Sequence, residues 1–231
     1  MMKDAIVGSV FFGIILTVIT FYIGDLLKRK LKHPLANPIL ISGMAVIGIL
    51  VFFDIDFDTY NKGAKYIGFL LTPATVCLAI PLYEEIQHLK NNWLAIMSGI
   101  ISGIISSAAT VFVLSLVFKL GHQEYVTLLP KSITAAIGMD ISKQLDGVVS
   151  ITVAIIIITG LIGNIMGEFI LEKFNIKHPI AKGVAYGASS HALGTSKAME
   201  IGELEGAISG LSLAVSGILT VFAVSIFANL I

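Results

Sequence analysis

A lysine follows a proline inside the apolar sequence LLPKSITAAIG, which spans Leu128 to Gly138. An ammonium group near the middle of a bilayer costs roughly 2.5 to 3.5 kcal/mol on insertion scales, so Lys131 must face water, protein or an anion. Ser132 and Thr134 add hydroxyl groups, and Pro130 disfavours helix in the residue before it. An opened helix with these donors is suited to binding a carboxylate. The alternative is a membrane entrance at which Lys131 extends to the lipid head groups.

A second polar cluster, GASSHALGTSK, spans Gly187 to Lys197 and surrounds a histidine with small and hydroxyl residues. His191 can donate a hydrogen bond to a substrate oxygen or carry a proton, since the unperturbed pKa of histidine is about 6.5. Small residues at this spacing are also typical of close packing between membrane helices. The residues predicted to bind substrate here are Ser189, Ser190, His191, Gly194 and Thr195.

Two further polar groups are weaker candidates. Thr72 and Thr75 flank Pro73 and are predicted to contact substrate, although a simple proline kink, with threonine oxygens satisfying the released amides, explains them equally well. Asn164 and Glu168 lie one helical turn apart and can share a face. With His191, they are the predicted proton or cation site. Glu168 also fits an interfacial carboxylate, because it lies toward the end of its apolar run.

The composition is that of an integral membrane protein. Of the 231 residues, 56% are hydrophobic and 13% are charged, whereas soluble domains have about 25% charged residues. The mean hydropathy is +0.93. Apolar runs near the ~20 residues needed to cross a bilayer are predicted spans. They are Ala5 to Leu27, Pro38 to Phe53, Trp93 to Phe118, Val148 to Leu171 and Ala207 to Ile231.

Three weaker segments lie between these spans: Tyr66 to Tyr83, Leu128 to Met139 and Val184 to Ala198. Each is short or interrupted by Pro, Gly, Ser or Thr. Such interruptions are tolerated at membrane depth where the released backbone groups are buried in protein or line a cavity. We therefore predict an all-α polytopic membrane protein with seven or eight hydrophobic segments, some of them broken or re-entrant helices.

Several classes of function are excluded at this point. The net charge is zero, with 15 basic and 15 acidic residues, and no basic patch suggests nucleic-acid binding. Cys77 is the only cysteine, and the five histidines lack metal-ligand spacing. No HExxH, GxSxG or Walker A motif is present. We therefore expect no catalytic residue, metal or cofactor, and we do not expect an enzyme.

Internal similarity predicts a duplicated design. LKHPLAN at 31–37 matches IKHPIAK at 176–182, and LLTPATVCLAIP at 70–81 matches LLPKSITAAIG. MDISKQLDG at 139–147 also matches MEIGELEG at 199–206 with one gap. Weak symmetry with interrupted segments at corresponding places is typical of secondary transporters. We predict a single domain over 1–231 with repeat halves at about 5–120 and 128–231, although the offsets among these pairs imply different repeat units.

The basic residues predict the orientation. They crowd the two KHP loops, with Lys28, Arg29, Lys30 and Lys32 at the first and Lys173, Lys177 and Lys182 at the second. The positive-inside rule therefore places both loops in the cytoplasm. Two loops on the same side must be separated by an even number of crossings. The segments at 38–53, 66–83, 93–118 and 148–171 already supply four, so Leu128 to Met139 must enter the membrane and return. A full crossing of this segment would place one KHP loop outside.

The motifs TPATVCLAIPLYEEI, LLPKSITAAIGMDIS and GASSHALGTSKAMEIGELEG, together with the KHP loops, resemble the LrgB/CidB/YohK family of bacterial membrane proteins. The resemblance covers about residues 5 to 231. A plant relative in this family is the plastid glycolate/glycerate transporter. The resemblance implies two functions: holin-like or antiholin-like control of murein hydrolase activity and autolysis, and transport of small monocarboxylates.

We expect a multi-pass secondary transporter of pyruvate, glycolate or a similar acid in the bacterial plasma membrane. The substrate site is expected where segments 70–76, 130–134 and 189–197 converge. Besides the carboxylate and membrane lipids, the expected partners are a small LrgA/CidA-type membrane protein and further copies of the chain. The alternative is a holin-like or antiholin-like regulator of murein hydrolases. An intramembrane enzyme lacks a recognisable nucleophile and base.

Overall fold

The computed structural model describes residues 8–31, 36–70 and 86–231, together with Pro73, Val76, Cys77, Ile80 and Tyr83. The chain forms two compact units, Met1–Cys77 and Leu78–Ile231, which are described separately. In the described residues every regular element is a helix. Thr72 and Thr75 lie outside these residues, as does much of the predicted segment from Tyr66 to Tyr83.

The first unit contains α1 (Val10–Leu31), α2 (Pro38–Phe52) and α3 (Phe57–Gly68). Asn37 caps α2, because its side-chain oxygen accepts hydrogen bonds from the backbone N–H groups of Ile39 at 2.9 Å and Leu40 at 3.2 Å. Pro38 follows at the first helical position, where no intrahelical donor is lost. The α1 and α3 helices touch through glycine: a Cβ on Gly13 or Gly63 would collide with backbone atoms of the other helix.

The second unit contains seven helices in the described residues. They are α4 (Ile86–Asn91), α5 (Trp93–Phe118), α6 (His122–Leu128), α7 (Ala135–Gln144), α8 (Val149–Lys173), α9 (Pro179–Ile201) and α10 (Glu203–Phe227). A short 3-10 turn, Ala228–Leu230, extends α10.

Among the residues that the structure describes, four helical segments are long and apolar enough to cross a membrane: α1, α5, α8 and α10 with its 3-10 extension. They confirm four of the five predicted spans, with small shifts at the ends. The fifth, predicted over Pro38 to Phe53, is the 15-residue helix α2, which is shorter than the ~20 residues of a full crossing. The prediction of an all-α polytopic membrane protein is confirmed.

The segment after α5 enters the second unit and returns, as one of the two topologies predicts. We call α6, residues 129–134 and α7 hairpin A, with residues 129–134 as its tip. Near the base, the side-chain amide of Gln123 donates to the carbonyl of Asp146 at 3.0 Å. Closer to the tip, the Thr152 hydroxyl bridges the carbonyl of Thr127 at 2.9 Å and the hydroxyl of Ser142 at 2.8 Å. The two arms therefore run side by side in opposite directions.

The α9 helix also reverses, and its break lies at His191, where φ is 44° and ψ is −131°. A Cβ on Gly194 would collide with the Tyr186 carbonyl and lie 2.6 Å from Cβ of Ser190. In a straight helix, residues eight apart are separated by about 12 Å. The two halves of α9 are therefore the arms of a second hairpin, hairpin B, with residues 190–193 as its tip.

Each hairpin packs against α5 and α10 through its own apolar cluster. Ile96, Ile100 and Ile104 of α5 pack with Ile180 and Val184 of hairpin B and Ile208 of α10. The cluster of hairpin A joins Tyr125, Val126, Leu129, Ile133 and Ile141 to Ala108, Val111, Val224 and Ala228. The Tyr125 hydroxyl also donates to the Phe227 carbonyl at 2.8 Å. Burial of these side chains holds both hairpins against the long helices.

The hairpins enter from opposite ends of the long helices. Hairpin A connects the end of α5 to the start of α8, whereas hairpin B connects the end of α8 to the start of α10. Their tips reach the middle of these helices: Ser132 bonds to Ser107 of α5, and Ser190 lies against Gly163 of α8. Because α5 and α8 are long enough to cross the hydrocarbon core, both tips lie near its midplane.

Residues 122–227 thus contain two similar structural repeats in opposite orientation. Each repeat is a helical hairpin followed by a 25-residue helix. The paired sequences MDISKQLDG and MEIGELEG fall at corresponding places, at the end of each returning arm. The architecture therefore follows the offset of this pair, from residue 139 to residue 199. The wider halves, 5–120 and 128–231, stay a prediction.

Candidate functional site

The tip of hairpin A carries the lysine that the sequence singled out. Pro130 is buried and Lys131 is half-buried. The Lys131 ammonium donates to the Ser132 hydroxyl at 3.0 Å, and the Ser132 and Ser107 hydroxyls form a hydrogen bond of 3.1 Å. In the described part of the chain, no carboxylate forms a salt bridge with Lys131. An ammonium has three donors, so this one retains capacity for an anion.

Thr134 has a structural partner at the same tip. It is the N-cap of α7, and its hydroxyl accepts a hydrogen bond from the backbone N–H of Ile137 at 3.5 Å. Such caps satisfy one of the unpaired donors at a helix start. A role for Thr134 in ligand binding therefore competes with its role in beginning the returning arm, and it stays a prediction.

The tip of hairpin B is built around His191, which is buried. Its Nε2 lies 2.9 Å from the Ile156 carbonyl of α8, and since a carbonyl only accepts, Nε2 carries the hydrogen. The positive φ of His191 is unfavourable for a residue with a Cβ. Gly160 of α8 makes room for the ring, because a Cβ there would lie 2.5 Å from Cε1 of His191. The hydrogen bond from the imidazole thus holds the break in α9 against α8.

The other predicted residues of hairpin B differ in their surroundings. Ser189 is exposed and its hydroxyl donates to the Ala185 carbonyl at 2.6 Å, whereas Ser190 is buried against α8. Gly194 permits the close approach of the two arms. The Thr195 and Ser209 hydroxyls form a hydrogen bond of 2.9 Å. The structure thus brings these residues to one hairpin tip, and their binding of substrate stays a prediction.

Asn164 and Glu168 contact hairpin B but not the same part of it. The Asn164 side-chain amide donates to the Leu193 carbonyl at 2.7 Å, next to the break in α9. Glu168 lies farther along α8, where its carboxylate is 2.9 Å from the Lys197 ammonium and more than half of its side chain is exposed. This position agrees with the interfacial alternative for Glu168. Its use as a proton or cation site is untested.

The two tips approach each other across Ile156 of α8. The Ile156 carbonyl accepts a hydrogen bond from His191. The Ile156 side chain packs against Gly138 of hairpin A, where a Cβ would collide with it. A small cavity of about 10 Å³ touches both hairpins and is lined by Ser132, Ala188, Ser107 and Thr220, together with Ile104, Ala108, Leu129, Ala223 and Val224. This volume is that of about one water molecule. The cavity is therefore too small to hold a carboxylate.

Sequence reasoning missed the hydroxyl residues of α10 that face the hairpins. Ser209, Ser212, Ser216 and Thr220 are all buried. Their spacing of three or four residues was the available signal, since it places them on one helical face. Within the described ranges, no three side chains of His, Cys, Asp or Glu form a group that could hold a metal ion.

Comparisons with known proteins agree over most of the chain. The sequence model of the LrgB-like family matches residues 17–230. Holin-like protein CidB of Staphylococcus aureus (strain N315) is 38% identical over 207 residues, which are 90% of each chain. Antiholin-like protein LrgB of Bacillus cereus (strain B4264) is 36% identical over 218 residues, covering 94% of this chain and 95% of the relative. No solved structure matches.

Proposed function

Because the chain belongs to the LrgB-like family, we propose that it is a secondary transporter of small monocarboxylates, such as pyruvate or glycolate, across the bacterial plasma membrane. One observation carries this proposal: two helical hairpins enter from opposite ends, and the tip of hairpin A and the first arm of hairpin B line one cavity midway along the long helices. Transporters commonly bind substrates at broken helices near the membrane midplane, between repeats of inverted topology. The proposal assigns no catalytic step to the chain.

Lys131 supports an anionic substrate. Its ammonium lies at a hairpin tip in mostly apolar surroundings, where an unpaired charge is unfavourable. A carboxylate would provide both the opposite charge and two strong acceptors. The backbone N–H groups at the start of α7 add partial positive charge at the same tip. The hydroxyl of Ser132 would complete the first contacts with the bound acid.

The size of the cavity supports alternating access rather than an open pore. A space of about 10 Å³ holds no carboxylate, so the substrate must enter when one hairpin moves away from the other. The two hairpins are anchored at opposite ends of the bundle, which gives each side of the membrane its own gate. Movement of hairpin A would expose the tips to one side, and movement of hairpin B to the other.

The basic residues support the orientation. Lys90, Lys173, Lys177 and Lys182 lie near the end at which hairpin B enters, whereas Lys119 and Lys143 lie near the end of hairpin A. The positive-inside rule then places the base of hairpin B in the cytoplasm. A small LrgA/CidA-type membrane protein and further copies of the chain are proposed partners.

Uptake into liposomes tests the proposal. Purified protein in liposomes should accumulate labelled pyruvate or glycolate, and Lys131→Ala should reduce this uptake to background, because the positive charge for the carboxylate is gone. Lys143→Ala is the matched control, since Lys143 lies in the same hairpin but is exposed near its base. Uptake by Lys131→Ala at the wild-type rate would refute the site, and no uptake of any short acid by the wild type would refute transport.

A second candidate function rests on the relatives. The matched proteins are named holin-like and antiholin-like, which favours a membrane regulator of murein hydrolase activity and autolysis. The two functions separate experimentally. A conductance that passes dyes much larger than pyruvate would favour the regulator, as would normal control of autolysis in cells that carry the transport-dead Lys131→Ala variant.

A further inference from the structure

A surface pocket of about 310 Å³ lies where the chain passes from α8 into hairpin B. It is lined by the end of α8, by the connection at 174–178 and by both arms of hairpin B, with Lys182 on the first arm and Ile201 at the end of the second. Leu171 is buried and Ile201 is partly buried, so part of the lining is apolar. The volume is that of a small-ligand site, and the pocket is separate from the small cavity at Ser132.

The surface pocket carries charges of both signs. Its charged lining residues are Glu168, Glu172, Lys177 and Lys182. The Glu168 carboxylate already has a partner in the Lys197 ammonium at 2.9 Å. Among the described residues, no salt bridge includes Glu172, Lys177 or Lys182. One carboxylate and two ammonium groups are therefore available to a ligand.

The surface pocket lies at the level of the lipid head groups. The α8 helix has 25 residues and is long enough to cross the hydrocarbon core. Glu168 and Glu172 lie in its last two turns, and both are exposed. Charged side chains at the end of a spanning helix extend into the head-group layer. A lipid head group is therefore the charged ligand present at this depth at the highest concentration.

The charges distinguish among head groups. Two ammonium groups suit a phosphate, and a carboxylate suits a primary ammonium with its three N–H donors. An anionic head group without an ammonium would place a second negative charge next to Glu172. A quaternary ammonium has no N–H to donate and is typically bound by aromatic rings, whereas none of the described residues that line this pocket is aromatic.

We propose that the surface pocket binds the head group of phosphatidylethanolamine. Lys177 and Lys182 hold the phosphate, and Glu172 holds the primary ammonium. Because α8 and both arms of hairpin B line the pocket, the bound lipid also holds hairpin B to α8. The proposal goes beyond the transport function and does not depend on it.

Competition between two lipids provides the first test. Native mass spectrometry of the purified full chain, with equal amounts of phosphatidylethanolamine and phosphatidylglycerol of the same acyl chains, should show preferential binding of phosphatidylethanolamine. Glu172→Gln should lower this preference roughly threefold to fivefold, as expected for the loss of one exposed ion pair. Glu172→Lys should reverse the preference, because it replaces the only available carboxylate with a third ammonium.

Glu203→Lys is the matched control. Glu203 is exposed at the start of α10, at the same end of the bundle, and it does not line the surface pocket. The control should keep the wild-type preference, since it makes the same change of charge outside the site. Equal binding of the two lipids by the wild type, or the same preference in Glu172→Lys and Glu203→Lys, would overturn the proposal.

Thermal unfolding in detergent distinguishes the lipid from a soluble ligand. Phosphatidylethanolamine should raise the unfolding temperature of the wild type more than that of Glu172→Lys, whereas phosphatidylcholine should affect both equally. Soluble glycerophosphoethanolamine at the same concentration should have no effect. An equal effect of the soluble compound would overturn the assignment to a lipid. Neither test measures uptake, so failure of the transport function and failure of this site are distinguishable.

Discussion

Hairpins A and B have the same architecture but are held in place by different interactions. Hairpin B packs closely at glycine: a Cβ would collide with backbone atoms at Gly183, Gly187 and Gly194, and with side chains of hairpin B at three glycines of α8, Gly160, Gly163 and Gly167. Hairpin A is held by its apolar cluster and by hydrogen bonds that centre on the Thr152 hydroxyl and its partners Thr127 and Ser142. Close packing at glycine holds hairpin B in place, whereas hydrogen bonds and an apolar cluster hold hairpin A.

The two tips differ in the same way. His191 at the tip of hairpin B is buried and donates to a backbone carbonyl of α8. Lys131 at the tip of hairpin A is half-buried, and its described hydrogen bond is to the neighbouring Ser132. The charged tip thus has the less extensive set of fixed contacts. This difference indicates that hairpin B is the more closely packed of the two, whereas the tip of hairpin A carries an ammonium that retains capacity for an anion.

The largest effect on stability is expected where hairpin B meets α10. Gly187→Leu would force a side chain against the Ser209 carbonyl and the Ser212 side chain, and it should lower the free energy of unfolding by about 3 kcal/mol, since backbone atoms cannot move aside cheaply. Gly48→Leu is the control, because no described atom lies within 4 Å of a Cβ there. Thermal unfolding in detergent measures both. Equal stability would contradict backbone packing of hairpin B.

A smaller loss is expected between the arms of hairpin A. Thr152→Val preserves the shape of the side chain but removes the hydroxyl that bridges the two arms, and it should destabilise the protein by about 1 to 3 kcal/mol. Thr110→Val is matched, since the Thr110 hydroxyl is exposed and donates only within its own helix, to the Ser106 carbonyl at 2.7 Å. The same change in both variants, measured by thermal unfolding, would contradict the special role of Thr152.

Thr134 distinguishes capping from ligand binding. Thr134→Ala should destabilise the protein by about 1 kcal/mol through loss of the N-cap of α7. Thr134→Asn, which retains a capping oxygen, should restore stability. The KM for glycolate should stay at the wild-type value in both variants. A raised KM in Thr134→Asn at normal stability would instead show that the threonine contacts the substrate.

The smallest effect is expected at the end where hairpin B enters. The Lys197 ammonium pairs with Glu168 at 2.9 Å, with the glutamate more than half exposed. Such pairs contribute about 0 to 1 kcal/mol, so Lys197→Met should change the unfolding temperature little and should reduce its dependence on salt. A large loss of stability would indicate that this pair holds hairpin B to α8.

The sequence predicted the long helices and the two interruptions well, because apolar length and broken polar segments are local properties of the chain. Trp93 and Phe118 bound α5 as predicted. It was also possible to predict that Leu128 to Met139 returns, from the charge of the flanking loops. By contrast, the reversal at His191 depends on Gly194 facing Tyr186, a contact within a helical pattern that local periodicity does not reveal.

The candidate site was less predictable than the fold. Lys131, Ser132 and His191 stood out because polar residues are costly within apolar segments. Ser212 and Ser216 did not, because serine is common in membrane helices and its role depends on which face is buried. The binding of a ligand by Thr134 stays a prediction, and its capping of α7 could also have been predicted, because threonine before a helix start is a known signal.

The central claim is that the tip of hairpin A meets hairpin B near the membrane midplane and separates from it during transport. It is tested most directly by Ser132→Cys combined with Ala188→Cys in a Cys77→Ser background, since both positions line one cavity. We expect an oxidant to form an intramolecular crosslink that stops uptake of labelled glycolate, and a reductant to restore it. Failure of the pair to crosslink within one chain, or full uptake by the crosslinked protein, would contradict the account.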